Sequence, residues 1–418
     1  MKIAGLAWRN VFRNPRRSVL NVVALTVGTA ILFLALGWIG GYHRYIYDTL
    51  IDFETGHGKV LRDGYYAERR RLPVDLLIEE YDAARGMVSS VDGVEAVTGR
   101  VRFPLRISTG DRSFSLGATA LDLRYEESVG VLSDYVVAGA VPSPEDAGIE
   151  RGLWIGRPVA EKAEIELGDV VFLRAMNRHG VENLYDAPVV GFFDYGYPVL
   201  DEQMAYLDMG TATELLDLDG GVTEIVYRLE PGVSPDDGRR RVAAALAGEA
   251  LQEGLEARLW RDFAQAAVSA VEGDTSSFGI IASVMYLLIV LGILNTMSMS
   301  VHERTREIGT IRAIGMSRRY LRRLFMFESL WQALISLVLA AAISAPIAWY
   351  LLSVGVDISG SMPADMPVPF GERFRADFAI WHYLAAAISA PLTAVVGALI
   401  PIRRAGRITV AEAMRETA

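Results

Sequence analysis

Four stretches of the sequence run without an Asp, Glu, Lys or Arg for longer than the ~20 residues that cross a bilayer core: Ser18–His43, Thr275–His302, Ser329–Val356 and Phe378–Ile402. No other feature limits the fold as much, because a surface helix of a soluble protein needs one apolar stripe and not a long uncharged run. The stretches predict transmembrane helices at 18–41, 277–301, 329–354 and 379–402. The first follows Arg13, Arg16 and Arg17 as a secretory signal would. It outruns the ~7–15 apolar residues of a signal core and no Ala-x-Ala site follows it, so it is expected to stay as an anchor.

The segments between the spans differ in charge. Residues 1–17, an amphipathic leader, hold Lys2, Arg9, Arg13, Arg16 and Arg17 and no acid. Residues 302–328 hold seven arginines against Glu303, Glu307 and Glu328, and residues 403–418 hold four against Glu412 and Glu416. These three segments carry 16 basic and 5 acidic side chains, a net of +11, so the rest of a chain at −10 sums to −21. Basic residues flanking a span stay on the cytoplasmic side. Both termini and the loop 302–328 are therefore expected in the cytoplasm, with 42–276 and 355–378 outside. The sequence pI of about 5.2 averages two opposite faces and indicates neither a basic partner nor nucleic acid.

The segment 42–276 is long enough for one or two compact domains. Strand patterns occur at 94–108, 112–121, 169–175, 187–193 and 223–229, and helical patterns at 74–91 and 236–255. Strands and helices interleave irregularly, which predicts an α+β domain with more than one small sheet. Turn signals at Asp92-Gly93, Gly110-Asp111, Gly168-Asp169 and Asp219-Gly220-Gly221 separate the strands.

Chemistry is sparse. There is no cysteine, which excludes disulfides, thiolate catalysis and cysteine-linked lipid. The five histidines, His43, His57, His179, His302 and His382, show no metal-ligand spacing, and the "DLDG" at 217–220 lacks the rest of a calcium loop and reads as a turn. A phosphate-binding loop needs a lysine followed by Ser or Thr. The three lysines, Lys2, Lys59 and Lys162, precede Ile, Val and Ala. The chain is therefore not expected to be an enzyme or to hold a cofactor, and any ATP and magnesium must sit in another subunit.

The segment from Glu303 to Phe325 has helical periodicity, with Ile308, Ile311 and Ile314 on one stripe and arginines on the other faces. Gly309 and Gly315 each weaken a helix by ~1 kcal/mol relative to alanine. A short helix near 303–313, a break around Gly315-Met316-Ser317 and a second helix capped by Ser317 are expected. Topology alone would account for the arginines, but not for Glu303, Glu307 and the glycines; a protein partner suits such a mixed-charge turn better than lipid does.

The stretch "NTMSMSVHERTREIGTIRAIGMSRRYLRRLFMFESL" (295–330) resembles the signature of the MacB, FtsX and lipoprotein-releasing superfamily of ABC transporter permeases. The matching residues are Asn295, Ser300, Val301, Glu303, Arg304, Glu307, Ile308, Gly309, Arg312, Ala313, Ile314, Gly315 and Glu328. "AWRNVFRNPRRSVLNVVALTVGTAI" (7–31) and "PIRRAGRITVAEAMRE" (401–416) resemble the family's opening and closing segments. "TGHGKVLRDGYYAERRRLPVD" (55–75), "VDGVEAVTGRVRF" (91–103) and "ELGDVVFLRA" (166–175) are similar to the lipoprotein-releasing (LolC/LolE-type) branch.

The resemblance implies a multi-pass bacterial inner-membrane protein with a large periplasmic core domain of MacB type between its first two spans. It implies that Glu303, Arg304, Glu307, Ile308, Gly309, Ile311, Arg312, Ala313, Ile314 and Gly315 form a coupling helix seated in a cytoplasmic ATPase dimer. A second permease chain, identical or related, would complete the transporter. ATPase motion would then be passed to the outer domain, to extract lipoproteins and deliver them to a periplasmic carrier. Efflux of peptides or drugs through an outer-membrane partner and FtsX-like transmembrane signalling are the alternatives.

Overall fold

The computed structural model describes residues 3–13, 15–110, 112–143, 152–196, 198–248, 254–356, 373–405 and 407. The expected outer loop 355–378 and the tail 403–418 fall largely outside these residues. The chain divides into two compact units, one holding the apolar helices and the other the segment inserted between the first two of them.

In the first unit, a leading helix (Ile3–Arg13) precedes the long helix Pro15–Leu50, and the later long helices are Gln265–Glu303, Arg318–Ser353 and Ile380–Ala405. These four long helices are each apolar enough to span a membrane. The first, at 36 residues, is ~54 Å long at 1.5 Å per residue, against a hydrocarbon core of ~30 Å. Apolarity locates the bilayer crossing, while backbone hydrogen bonding carries the helix beyond it, which is why the first helix continues to Leu50 and the second begins at Gln265. On the third span Trp331 and Trp349 are 18 residues apart, or ~27 Å along the axis, the spacing expected of side chains at the two bilayer interfaces.

Burial in this unit is reversed relative to a soluble protein. Large apolar side chains such as Ile280, Ile281, Val284 and Leu288 of the second span face outward, and small ones face the neighbouring helices. Ala333, Ser336, Ala340, Ser344 and Ala348 are buried on the third span, and Ala386, Ala390, Ala394 and Ala398 on the fourth. Small residues at a spacing of three or four let helix backbones approach where no hydrophobic effect drives association. Gly397 makes one such approach: a Cβ there would lie 2.9 Å from the Cβ of Ile293. Polar side chains add directional ties between the first and third spans. Asn21 donates to the Gln332 amide oxygen at 3.2 Å, Gln332 donates to Ser18 at 3.4 Å, and Ser336 donates to the Val22 carbonyl at 3.1 Å.

The inserted unit carries ten strands among the described residues: β1 (Gly58–Arg62), β2 (Val94–Ser108), β3 (Ser113–Leu121), β4 (Val136–Gly139), β5 (Leu153–Gly156), β6 (Val170–Met176), β7 (Glu182–Phe193), β8 (Met204–Asp208), β9 (Glu224–Leu229) and β10 (Leu255–Leu259). They form one hydrogen-bonded sheet, not the several small ones expected. The reason is the length of β2. Its first half pairs β9 and its last three residues pair β6 on the same side, while β3 lies along its other side. The pairing path β2–β3–β8–β5–β7–β6 then returns to β2 and closes on itself. β1, which follows the first span, pairs antiparallel with β10, which precedes the second.

The helical expectations need correction. Residues 74–80 are not helical: Ile78 bridges Val222, and Leu77 and Ile78 are buried, so the helix begins at Tyr81 and ends at Ser89. Burial on the sheet outweighs local propensity there. The pattern at 236–255 splits into a helix, Pro235–Gly248, and the start of β10. Asp217, Asp219 and Gly220 all adopt left-handed φ values, so "DLDG" is a turn. Two ion pairs lie inside the unit: Lys59 Nζ is 2.7 Å from Glu224, and Arg100 Nε is 3.2 Å from Glu126. Burial pushes the Tyr206 hydroxyl up to about 12.

Candidate functional site

The helix of the second span ends at Glu303, and Arg304 turns the chain into a nine-residue helix, Thr305–Ala313. Gly315, at φ +103°, ends it in a conformation that side chains resist. The Ser317 hydroxyl accepts from the Tyr320 amide at 3.2 Å and starts the helix of the third span. The short helix, the break and the cap lie where the sequence put them.

The ten residues grouped from the sequence separate into an inner and an outer set. Arg304, Ile308 and Gly309 are buried and Arg312 is half-buried, whereas Glu303, Glu307, Ile311, Ala313, Ile314 and Gly315 are exposed. Ile308 is 3% exposed and packs in a cluster with Met297 and Val301 of the second span, Leu321 and Phe325 of the third, and Ile402 of the fourth. Three residues of α-helix fall ~60° short of a full turn, so an isoleucine stripe of period three winds around the axis. Exposure accordingly rises from Ile308 to 36% at Ile311 and 82% at Ile314.

Ile311, Ile314, Gly315, Met316, Ser317 and Tyr320 bound an open depression of about 480 Å³. Arg318, Arg319, Arg322 and Arg323 are exposed beside it. An exposed apolar surface followed in the chain by exposed cations is chemically equipped to dock against another protein. Among the described residues, no group of three His, Asp or Glu side chains could hold a metal ion.

Two of the charged members face within the unit. A guanidinium nitrogen of Arg304 lies 3.5 Å from the buried Glu328 carboxylate. Glu307 pairs with Arg13 of the leading helix. Sequence reasoning missed Arg13 as a neighbour of this segment, since 294 positions separate it from Glu307. The only local signal was the amphipathic pattern, with Ala7 and Val11 buried and Trp8 and Phe12 exposed.

The family model described as MacB-like periplasmic core domain matches residues 18–245, and the one described as FtsX-like permease C-terminal matches residues 279–410. The lipoprotein-releasing system transmembrane protein LolC of Xylella fastidiosa (strain 9a5c) is 20% identical over 408 residues, covering 95% of this chain and 93% of that protein. The ABC transporter permease YtrF of Bacillus subtilis (strain 168) is 31% identical over 140 residues, covering 32% of this chain and 31% of that protein, so the chain spans about a third of that relative's length. Among solved structures, the periplasmic region of MacB from Actinobacillus actinomycetemcomitans aligns with 51% of this chain and 93% of its own at 13% identity and a TM-score of 0.37. The core-domain model alone spans more than half of the sequence, and the permease model falls on the remaining spans. The chain belongs to the ABC transporter permeases of the MacB/FtsX superfamily, and within it is LolC-like.

Proposed function

We propose that this chain is one permease subunit of an inner-membrane transporter that extracts lipoproteins, driven by a separate ATP-binding dimer at its cytoplasmic face. The observation that carries the substrate is the resemblance to the lipoprotein-releasing protein LolC along 95% of the chain. Both termini and the short helix Thr305–Ala313 lie in the cytoplasm in this reading, consistent with the +11 charge of their segments. Ile311, Ile314 and Tyr320 seat in the ATPase; Arg304 and Ile308 hold the helix to the spans. The three lysines lack the context of a phosphate loop, so ATP and magnesium belong to the partner. A second permease chain completes the assembly and a soluble periplasmic carrier receives the substrate.

The energetic demand fits an ATP-driven device. Each acyl CH₂ leaving the bilayer costs ~0.8 kcal/mol, on the order of 12 kcal/mol for one sixteen-carbon chain. The test is release of lipoproteins to a soluble carrier from spheroplasts depleted of this protein. Retention of lipoproteins in the inner membrane is expected. Undiminished release, with hypersensitivity to exported compounds instead, would replace this reading by MacB-like efflux.

A further inference from the structure

We infer that the leading helix, Ile3–Arg13, braces the short helix Thr305–Ala313, with Arg13 and Glu307 as the positioning pair that sets its orientation. The inference rests on the docking role proposed above. Glu307 then acts within the chain and does not itself contact the partner.

Three ties fix the leading helix. The Trp331 indole of the third span donates to the Ala4 carbonyl at 3.1 Å and meets Trp8 edge-on, with ring centroids 4.9 Å apart. Arg13 reaches Glu307, in the first turn of the short helix. The leading helix therefore engages the short helix at its first turn.

The physical need is clear from length. A nine-residue helix is too short to hold its own direction and takes it from what anchors it. Ile308 supplies one anchor on the inner face. That contact and the Arg304–Glu328 pair hold only its buried side; the Arg13–Glu307 bridge adds a hold on the exposed side. The two side chains are 57% and 49% exposed, so the bridge is weak and suited to a joint that must still move during a transport cycle.

The experiment measures binding of the purified ATP-binding subunit to the full chain in lipid nanodiscs. Arg13→Glu and Glu307→Arg alone should each weaken binding about two- to fivefold, the range an exposed pair supports. The exchanged pair, R13E with E307R, should return to within about twofold of the native chain, as should Arg13→Lys. Ile314→Asp should abolish binding, and the exchange should not rescue it. Unaffected single variants would overturn the proposal, and so would an exchanged pair as weak as both defects combined, which would make Glu307 a direct contact. A double-mutant cycle on the thermal unfolding of the chain alone reads the same pair without the ATPase, with coupling expected and additivity refuting the pair. Absence of ATPase binding by the native chain would count against the docking reading, leaving the cycle to decide the pair.

Discussion

Truncating Ile308 and Ile314 separately should produce opposite phenotypes, although both lie on one stripe of the same segment. Ile308 is 3% exposed inside the cluster that joins the second, third and fourth spans. Ile308→Ala leaves a cavity there and should cost about 2–5 kcal/mol of stability. Ile314 is 82% exposed, so Ile314→Ala should change stability by less than about 0.5 kcal/mol. If Ile314 is the docking knob, its truncation should cost about 2 kcal/mol of binding, roughly a thirtyfold weaker Kd. Thermal unfolding of the detergent-solubilised chain reads the first effect, and titration with the purified ATP-binding subunit reads the second. Native affinity in Ile314→Ala, or an unfolding temperature equally lowered in both variants, would refute the division into anchor and knob.

Three further predictions concern the rest of the molecule. Gly397→Ala places a Cβ 2.9 Å from Ile293 and 3.1 Å from the Val290 carbonyl and should destabilise the chain by about 1–3 kcal/mol. Gly292→Ala, inside the helix of the second span, meets nothing within 4 Å and should not lower the unfolding temperature. Lys59→Met strands the buried Glu224 and should cost about 3–5 kcal/mol in chemical denaturation, whereas Lys59→Met with Glu224→Leu should recover most of that loss. His57 is held below its ordinary 6.5, first by burial and then by Arg228, and its Nδ1 accepts from the Leu229 amide at 3.2 Å. The unfolded chain then binds the proton more readily, so stability should fall as pH drops below about 6.5. An unfolding temperature whose pH slope in that range is unaltered by His57→Gln would contradict this.

The membrane unit was the most legible part of the sequence, because lipid forbids charge over a full bilayer thickness and such runs are rare by accident. The short helix was legible for a different reason: Gly315 and Ser317 carry the break and the cap in their own chemistry. The inserted sheet was harder. β5 is buried at every position and β1 and β8 at all but one, so none shows the alternation that marks a half-exposed strand. Its closure into one sheet depends on the two-sided pairing of β2, which no local pattern encodes. In the candidate site, the three-residue spacing of the isoleucines implies a stripe that winds around the axis, but the spacing alone does not say which end is buried. The intrachain partners of Glu307 and Arg304, Arg13 and Glu328, stand elsewhere in the sequence and leave no local signal.

In the proposed assembly an ATP-binding subunit seats against the exposed end of the short helix. The chain has no cysteine, so a single Ile314→Cys can carry a short bifunctional crosslinker in native membranes with no other attachment point on the chain. One crosslinked product containing an ATP-binding subunit is expected, and none from Val284→Cys on the outward face of the second span. Failure of the Ile314→Cys chain to crosslink any ATP-binding subunit, or equal crosslinking from Val284→Cys, would contradict it.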